Sequence, residues 1–196
     1  ELKIADDGEI LFRGPNVFIG YHKNPEQTRE TLDDEGWVHS GDIGMLDDED
    51  FLYVTDRKKE LIITSGGKNL APVPIESKLK GIPGVAQAVV IGDRRKYLSA
   101  LILLDPEGIA ALAETVGSNA KDPQTAARCD RIRAFLEDRI DAVNATLAPF
   151  ESIREFAVIS EGLSVENNTL TPTLKLKRRV IHEYFADVID GLYAPE

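Results

Sequence analysis

The sequence predicts an α+β fold in two parts: a short β-rich front and a larger back portion with a mixed sheet and flanking helices. Three observations predict it. Residues 1–55 carry 4 Lys/Arg against 14 Asp/Glu, whereas residues 56–196 carry 19 against 20, so the composition changes near Asp56. The front reads as short runs of alternating polarity separated by Gly- and Asp-rich turns. Behind it, β-branched and aliphatic runs interleave with helical stretches, the pattern of a layered sheet-and-helix domain of about 140 residues.

Each element has a local reason. "GEILFRG" (8–14) is a strand between glycines, with Ile10 and Phe12 on one face and Leu11 and Arg13 on the other. "NPEQTRETL" (24–32) is a short helix with Asn24 as cap and Pro25 at the first helical position. Residues 33–57 read as paired strands at Trp37-Val38, Ile43 to Leu46 and Phe51 to Thr55, with turns between them. "ELIITSGG" is a strand running into a glycine turn, and "PVPIESKLKGI" is a helix that starts at prolines and stops at Gly81. "VAQAVVIGD", "YLSALILL" and "IREFAVIS" are strands by their β-branched and aliphatic content. Helices are expected over about 106–116 and 123–147, the second with Ile132, Phe135, Leu136, Ile140, Val143 and Leu147 on one stripe. "LTPTLKLKRR" (170–179) reads as an extended segment, and "RVIHEYFADVIDGLY" as a closing helix.

The composition also excludes. With 42% hydrophobic and 29% charged residues the chain is globular rather than disordered. No apolar run approaches the ~18 residues needed to span a bilayer, and no secretory leader stands at Glu1. A net charge of −11, concentrated in the front, disfavours a nucleic-acid role. The single cysteine, Cys129, sits in a helical stretch and reads as a small core residue. His22, His39 and His182 lack metal-ligand spacing, so no metal residue is assigned. The Asn-x-Thr triplets at Asn144 and Asn167 are taken as accidental.

Three stretches carry candidate chemistry. "TSGGKN" (64–69) is not a phosphate loop: Ile62 stands where a glycine is needed and Asn69 where Ser or Thr is needed. Its adjacent glycines mark either a plain turn or a close ligand approach. "HSGDIG" (39–44) sets Asp42 after a glycine turn, where a carboxylate can accept two hydrogen bonds from a diol. "TDRKKEL" (55–61) is a solvated linker by composition.

Together these stretches form a pattern. "GWVHSGDIG", "DRKKELIITSGGKNLAPVPIE" and "LTPTLKLKRR" resemble, in order and spacing, motifs of the C-terminal part of the AMP-forming adenylating superfamily. They are most similar to the long-chain fatty acyl-CoA synthetases, and the resemblance runs from "GEILFRGPNVFIGYHKNPEQT" to the closing helix. The commoner Ser-Gly-Lys of the last motif is here Thr173-Leu174-Lys175, a variation that resembles the long-chain branch, as does "LAPFESIREFAVI".

The resemblance implies a small mobile C-terminal domain over 61–196, a hinge over 56–60, and the β-rich end of a large N-terminal adenylation domain over 1–55. It implies two half-reactions, in which ATP and a fatty acid give acyl-adenylate and pyrophosphate, and CoA then displaces AMP. Asp42 would hold the ribose hydroxyls, Arg57 would lie beside the nucleotide, and Lys59 would be the hinge, where many relatives have Asp. Gly66 and Gly67 would line the CoA path. Lys175 would be the catalytic lysine, stabilising negative charge at the α-phosphate during attack. Lys177, Arg178 and Arg179 are open between a solvated helix start and contacts with CoA phosphates or anionic lipid. Mg2+ would be held mainly by the large domain, whose Ser/Thr/Gly-rich phosphate loop is not found in this sequence. The chain is therefore expected to be an inactive fragment of a cytoplasmic enzyme that can sit peripherally at a membrane. Two alternatives stay open: a ligase delivering the acyl group to a carrier protein, and a non-enzymatic anion-binding module.

Overall fold

The computed structural model describes residues 1–194. Its contacts divide the chain into two compact units, Glu1–Leu61 and Ile62–Glu196.

The front unit holds β1 (Leu2–Ile4), β2 (Glu9–Phe12), helix α1 (Pro25–Thr31), β3 (Val38–Leu46) and β4 (Leu52–Arg57). The strands form one antiparallel sheet in the order β1-β2-β3-β4. Asn24 caps α1 as expected, its side chain accepting the Gln27 N–H at 3.1 Å. Ile10, Leu11, Trp37 and Val38 are buried, and Lys3 and Arg13 place cations 4.1 and 4.5 Å from the Trp37 ring centroid. One expectation is corrected: the two strands expected over 37–46 are a single strand of 9 residues, bulged between His39 and Ile43 where it pairs with β2. Gly41, at φ 71°, absorbs the irregularity. Gly44 has no room for a side chain, since a Cβ would meet the Tyr53 carbonyl at 2.5 Å.

In the back unit, β5 (Ile62–Ile63) and β6 (Asn69–Leu70) form a small hairpin leading into α2 (Pro72–Lys80). The main sheet is β7 (Val85–Ile91), β8 (Leu98–Leu104) and β9 (Ile153–Ile159), with β8 central, antiparallel to β7 and parallel to β9. The β8–β9 crossover carries α3 (Ile109–Thr115), α4 (Pro123–Ala127) and α5 (Asp130–Asn144), and the chain closes with α6 (Arg178–Tyr184) and α7 (Ala186–Gly191). Side chains alternate across the sheet. Ala88, Val90, Ala100 and Ile102 enter the core shared with α2, α3, α4 and α5. Val89, Ile91, Leu101 and Ile159 enter a smaller core with Ile181, Phe185 and Ile189 of the closing helices. This is the small mixed sheet-and-helix domain the sequence predicts.

Three helical expectations are revised. The helix expected over 106–116 is shorter, spanning Ile109–Thr115. The long helix expected over 123–147 breaks at Cys129, which takes extended backbone (φ −91°, ψ 112°) and begins α5 instead of lying within a helix. Ala126 and Ile132 are both fully buried, yet six residues of unbroken helix would leave them about 120° apart around the axis, and the break lets both face the core. The Cys129 Sγ lies 3.0 Å from Ser118 Oγ, a contact that lowers the thiol's titration. The closing helix breaks at Phe185 but keeps Ile181, Phe185 and Ile189 at spacings of four on the buried side. The stretch 170–179 is also not extended. It makes a hairpin turn, Leu170 bridging to Leu176, and then enters α6.

Candidate functional site

Two groups of predicted residues result, one in each unit. In the front unit, β3–β4 pairing sets Asp42 opposite Arg57, and Arg57 Nε donates to Asp42 Oδ1 at 2.7 Å. The Ser40 hydroxyl accepts the Asp42 N–H at 3.0 Å and fixes the loop before it. Asp42, Arg57 and Lys59 line one open cleft of about 650 Å³ together with Phe18, Tyr21 and His39. Asp42 keeps its second carboxylate oxygen, and Arg57 both terminal nitrogens, for an incoming polar group.

Sequence reading missed the group behind this cleft. Glu9 is a buried carboxylate that receives Lys58 Nζ at 2.8 Å, the Gly41 N–H at 2.9 Å and His39 Nδ1 at 3.0 Å. Lys58 also reaches Asp7 at 2.7 Å. Glu9 thus ties the Gly41 turn, which delivers Asp42, to the segment following Arg57. Burial pushes the Glu9 carboxyl up, but the bonds from Lys58, His39 and Gly41 outweigh it and hold it below its ordinary value. Asp7 is lowered first by Lys58, and Lys58 is raised first by Asp7 and then by Glu9. Lowered carboxyls stabilise fully above their unfolded values, about 4, and that stability is lost as pH falls through the folded values. The raised lysine stabilises fully below about 10.4 and loses its contribution as pH rises through its folded value. We therefore expect Lys58→Met to move acid unfolding of the front unit to higher pH, followed by fluorescence of Trp37, the chain's one tryptophan. Coincident acid limbs for wild type and variant would remove this network from the stability of the unit.

The back unit places Gly66-Gly67 and Lys175 on two turns of the same construction. In the first, Thr64 N–H donates to Lys68 O, Gly67 N–H to Thr64 O, and Gly67 is left-handed at φ 73°. In the second, Thr171 N–H donates to Lys175 O, Leu174 N–H to Thr171 O, and Leu174 is left-handed at φ 60°. Both match a three-residue hairpin loop whose last position favours glycine. Leu174 occupies it with a side chain 69% exposed, so burial does not offset the cost. Leu174→Gly is expected to leave stability unchanged or raise it by up to about 1 kcal/mol, read as an equal or higher thermal midpoint, because the relieved left-handed strain offsets glycine's entropy cost. A lowered midpoint in thermal melts would show that the leucine side chain stabilises the turn. Gly66 is different: its φ is not positive and the nearest atom to an added Cβ is 3.9 Å away. Nothing in the described fold requires glycine there.

The basic run resolves into distinct partners. Lys177 Nζ contacts Asn168 Oδ1, Arg179 pairs with Glu183 at 3.0 Å, and Arg178 makes two bonds to Glu76, at 2.6 and 2.8 Å. Lys175 is exposed at the hairpin tip, and its ammonium makes no ion pair among the described residues. The Arg178–Glu76 pair was also missed, although a signal existed. Glu76 falls on the apolar stripe of α2 with Pro72, Ile75 and Leu79, all buried, and a carboxylate there demands a buried partner.

Among the described residues no cluster of His, Cys, Asp or Glu is placed to hold a metal ion, so no step is assigned to Mg2+ through this chain. No helix among them is long and apolar enough to cross a membrane.

A carboxylate and a guanidinium at a cleft, a glycine turn, and an exposed lysine on a hairpin tip are held on this two-unit fold. The model of the AMP-binding enzyme C-terminal domain matches residues 59–196, and the chain belongs to that family, within the adenylate-forming superfamily. Among individual proteins, it is 40% identical over its whole length to the long-chain-fatty-acid–CoA ligase FadD15 of Mycobacterium tuberculosis, of which it covers 32%. Among solved structures, it is similar to the adenylation domain of a carboxylate reductase from Mycobacterium chelonae, with a TM-score of 0.79, 26% identity, and coverage of 100% of this chain and 31% of that one. ATP-bound MatB from Rhodopseudomonas palustris is similar at a TM-score of 0.63 and 26% identity, with coverage of 92% of this chain and 31% of that one. The chain thus spans about a third of the length of these relatives.

Proposed function

We propose that this chain is the C-terminal part of a long-chain fatty acid–CoA ligase. The pairing of Asp42 with Arg57 at an open cleft carries the nucleotide half of this reading. Asp42 accepts the ribose hydroxyls, and Arg57 directs its remaining donors to ribose and phosphate oxygens. In the first half-reaction a fatty-acid carboxylate oxygen attacks the α-phosphorus of ATP and pyrophosphate leaves. Lys175 carries no competing ion pair among the described residues and offers its ammonium to the charge that develops there. In the second, the CoA thiolate attacks the acyl carbonyl and AMP leaves. Gly66, which the fold itself does not require to be glycine, fits a path for a thin ligand such as the pantetheine arm of CoA.

The hinge reading is supported by the linker. Lys58 is bound to Asp7 and Glu9 of the front unit, whereas the next residue, Lys59, is exposed in a single 3-10 turn, Lys58–Glu60. Lys59 is thus the first residue past the side-chain anchor to the front unit, a position that suits a hinge. The fatty-acid and CoA assignments draw on the name of the 40% identical relative. A second reading keeps the same adenylation step, which the similar carboxylate reductase domain is named for, and passes the acyl group to a carrier instead of CoA.

The test uses the full-length protein carrying this chain. Pyrophosphate release is measured with fatty acids of graded length, and the products are then analysed with CoA and with a phosphopantetheinylated carrier as acceptors. Acyl-CoA formation from long-chain acids supports the ligase, acyl-carrier alone supports the second reading, and no acid-dependent pyrophosphate release rejects both.

A further inference from the structure

We propose that the Arg178–Glu76 ion pair is the anchor that aims the Lys175 hairpin, which makes Arg178 a positioning residue for adenylate formation. The proposal rests on the reading of Lys175 given above. Arg178 is the first residue of α6 and stands three residues beyond Lys175, with no glycine between them. Its guanidinium forms a two-bond fork on Glu76, with side-chain exposures of 15% and 7%. Glu76 Oε1 also accepts the buried Val90 N–H at 2.8 Å. One carboxylate thus joins α2, the β7 backbone and the start of α6. Three elements distant in sequence are fixed at one point.

The other arm of the hairpin is held as firmly. Thr169 is fully buried, its hydroxyl is bonded to Asn167 and Ser164, and its carbonyl accepts the Lys177 N–H at 2.9 Å. Both arms are therefore fixed at the base, and only the tip from Pro172 to Lys175 is exposed. Lys177, Arg178 and Arg179 share charge with Lys175, but only Arg178 spends its charge on the core of the unit. A planar fork held at two points fixes direction as well as distance, which an ammonium cannot do. The direction it fixes is that of the chain entering α6, and so of the ammonium three residues earlier.

The double variant Glu76→Gln/Arg178→Met tests this in the full-length protein, since glutamine keeps an acceptor for Val90 and no charge is left buried alone. Arg178→Lys, which keeps charge but not the fork, is the second variant. Both are expected to lower kcat for pyrophosphate release about 10- to 100-fold, the effect of a reacting group displaced by about an ångström, with KM for ATP unchanged. Thioester formation from supplied acyl-adenylate and CoA should be unaltered. In a Lys175→Ala background the same changes should cost nothing further, because they act through that lysine. Equal loss in both half-reactions, or losses that multiply with Lys175→Ala, would show a merely structural pair and overturn the proposal. Unaffected pair variants beside an impaired Lys175→Ala enzyme overturn it alone. A fully active Lys175→Ala enzyme overturns the reading of Lys175 and the proposal with it.

Discussion

Lys175→Ala in the full-length protein is expected to slow adenylate formation by about 10²–10³, or about 2.7–4 kcal/mol of transition-state stabilisation, the cost of removing one preorganised donor from a developing oxyanion. The expectation rests on how charge is distributed along the run. Lys177, Arg178 and Arg179 each have a protein partner, while the Lys175 ammonium at the hairpin tip has no ion pair among the described residues. Arg178 and Arg179 are bound to carboxylates and so partly neutralised as stabilisers of phosphate charge, and the Lys177 ammonium is drawn to the Asn168 amide oxygen, away from the hairpin tip. Pyrophosphate release should therefore separate the residues, with Lys177→Ala and Arg179→Ala remaining near wild type. If the four basic residues proved interchangeable, the stretch would be a general anion-binding surface and the catalytic assignment would fail.

The largest effect on stability is expected at Glu76. Glu76→Ala leaves the Arg178 guanidinium without its fork and the buried Val90 N–H without an acceptor. Breaking a buried pair from one side costs about 3–5 kcal/mol, because the remaining charge loses the two-bond carboxylate that offsets its desolvation. For a domain of this size that amounts to roughly 10 °C or more in Tm. Thermal unfolding of the chain, followed by circular dichroism, measures it. Glu76→Gln retains an acceptor for Val90 and should fall between wild type and alanine. An alanine variant melting with wild type would mean that water replaces the carboxylate freely and that the site is less closed than its 7% exposure implies.

Local chemistry was legible in the sequence, and long-range pairing was not. The prolines and Gly81 that bound α2 act within their own segment, and so do the aliphatic runs of β7, β8 and β9. Asp42 and Arg57 could be named from motifs, but nothing in either motif says that β3–β4 register sets them face to face. The break at Cys129 escaped notice because the apolar stripe of α5 is regular, and only the need to bury Ala126 as well as Ile132 interrupts it. The left-handed Leu174 was invisible for a similar reason: its conformation follows from the hydrogen bonds that close the hairpin, against the leucine's own preference. Glu9 and Glu76 looked like ordinary surface carboxylates in composition. Their burial depends on partners 49 and 102 residues away.

The two faces of the three-stranded sheet are covered unequally. One shares a large core with α2, α3, α4 and α5, whereas the other is closed by Ile181, Phe185 and Ile189 on two short helices. Free energies of opening follow the apolar contact that must be given up, so the thinner layer is the cheaper one to lift. Amide protons of α6 and α7 would then exchange with solvent through sub-global openings that leave β8 and α5 intact. The Lys175 hairpin is joined directly to that layer. The part of the domain closest to its proposed chemistry is thus also the part held to the scaffold by the smallest reserve, and the Arg178 fork is the polar latch across that seam.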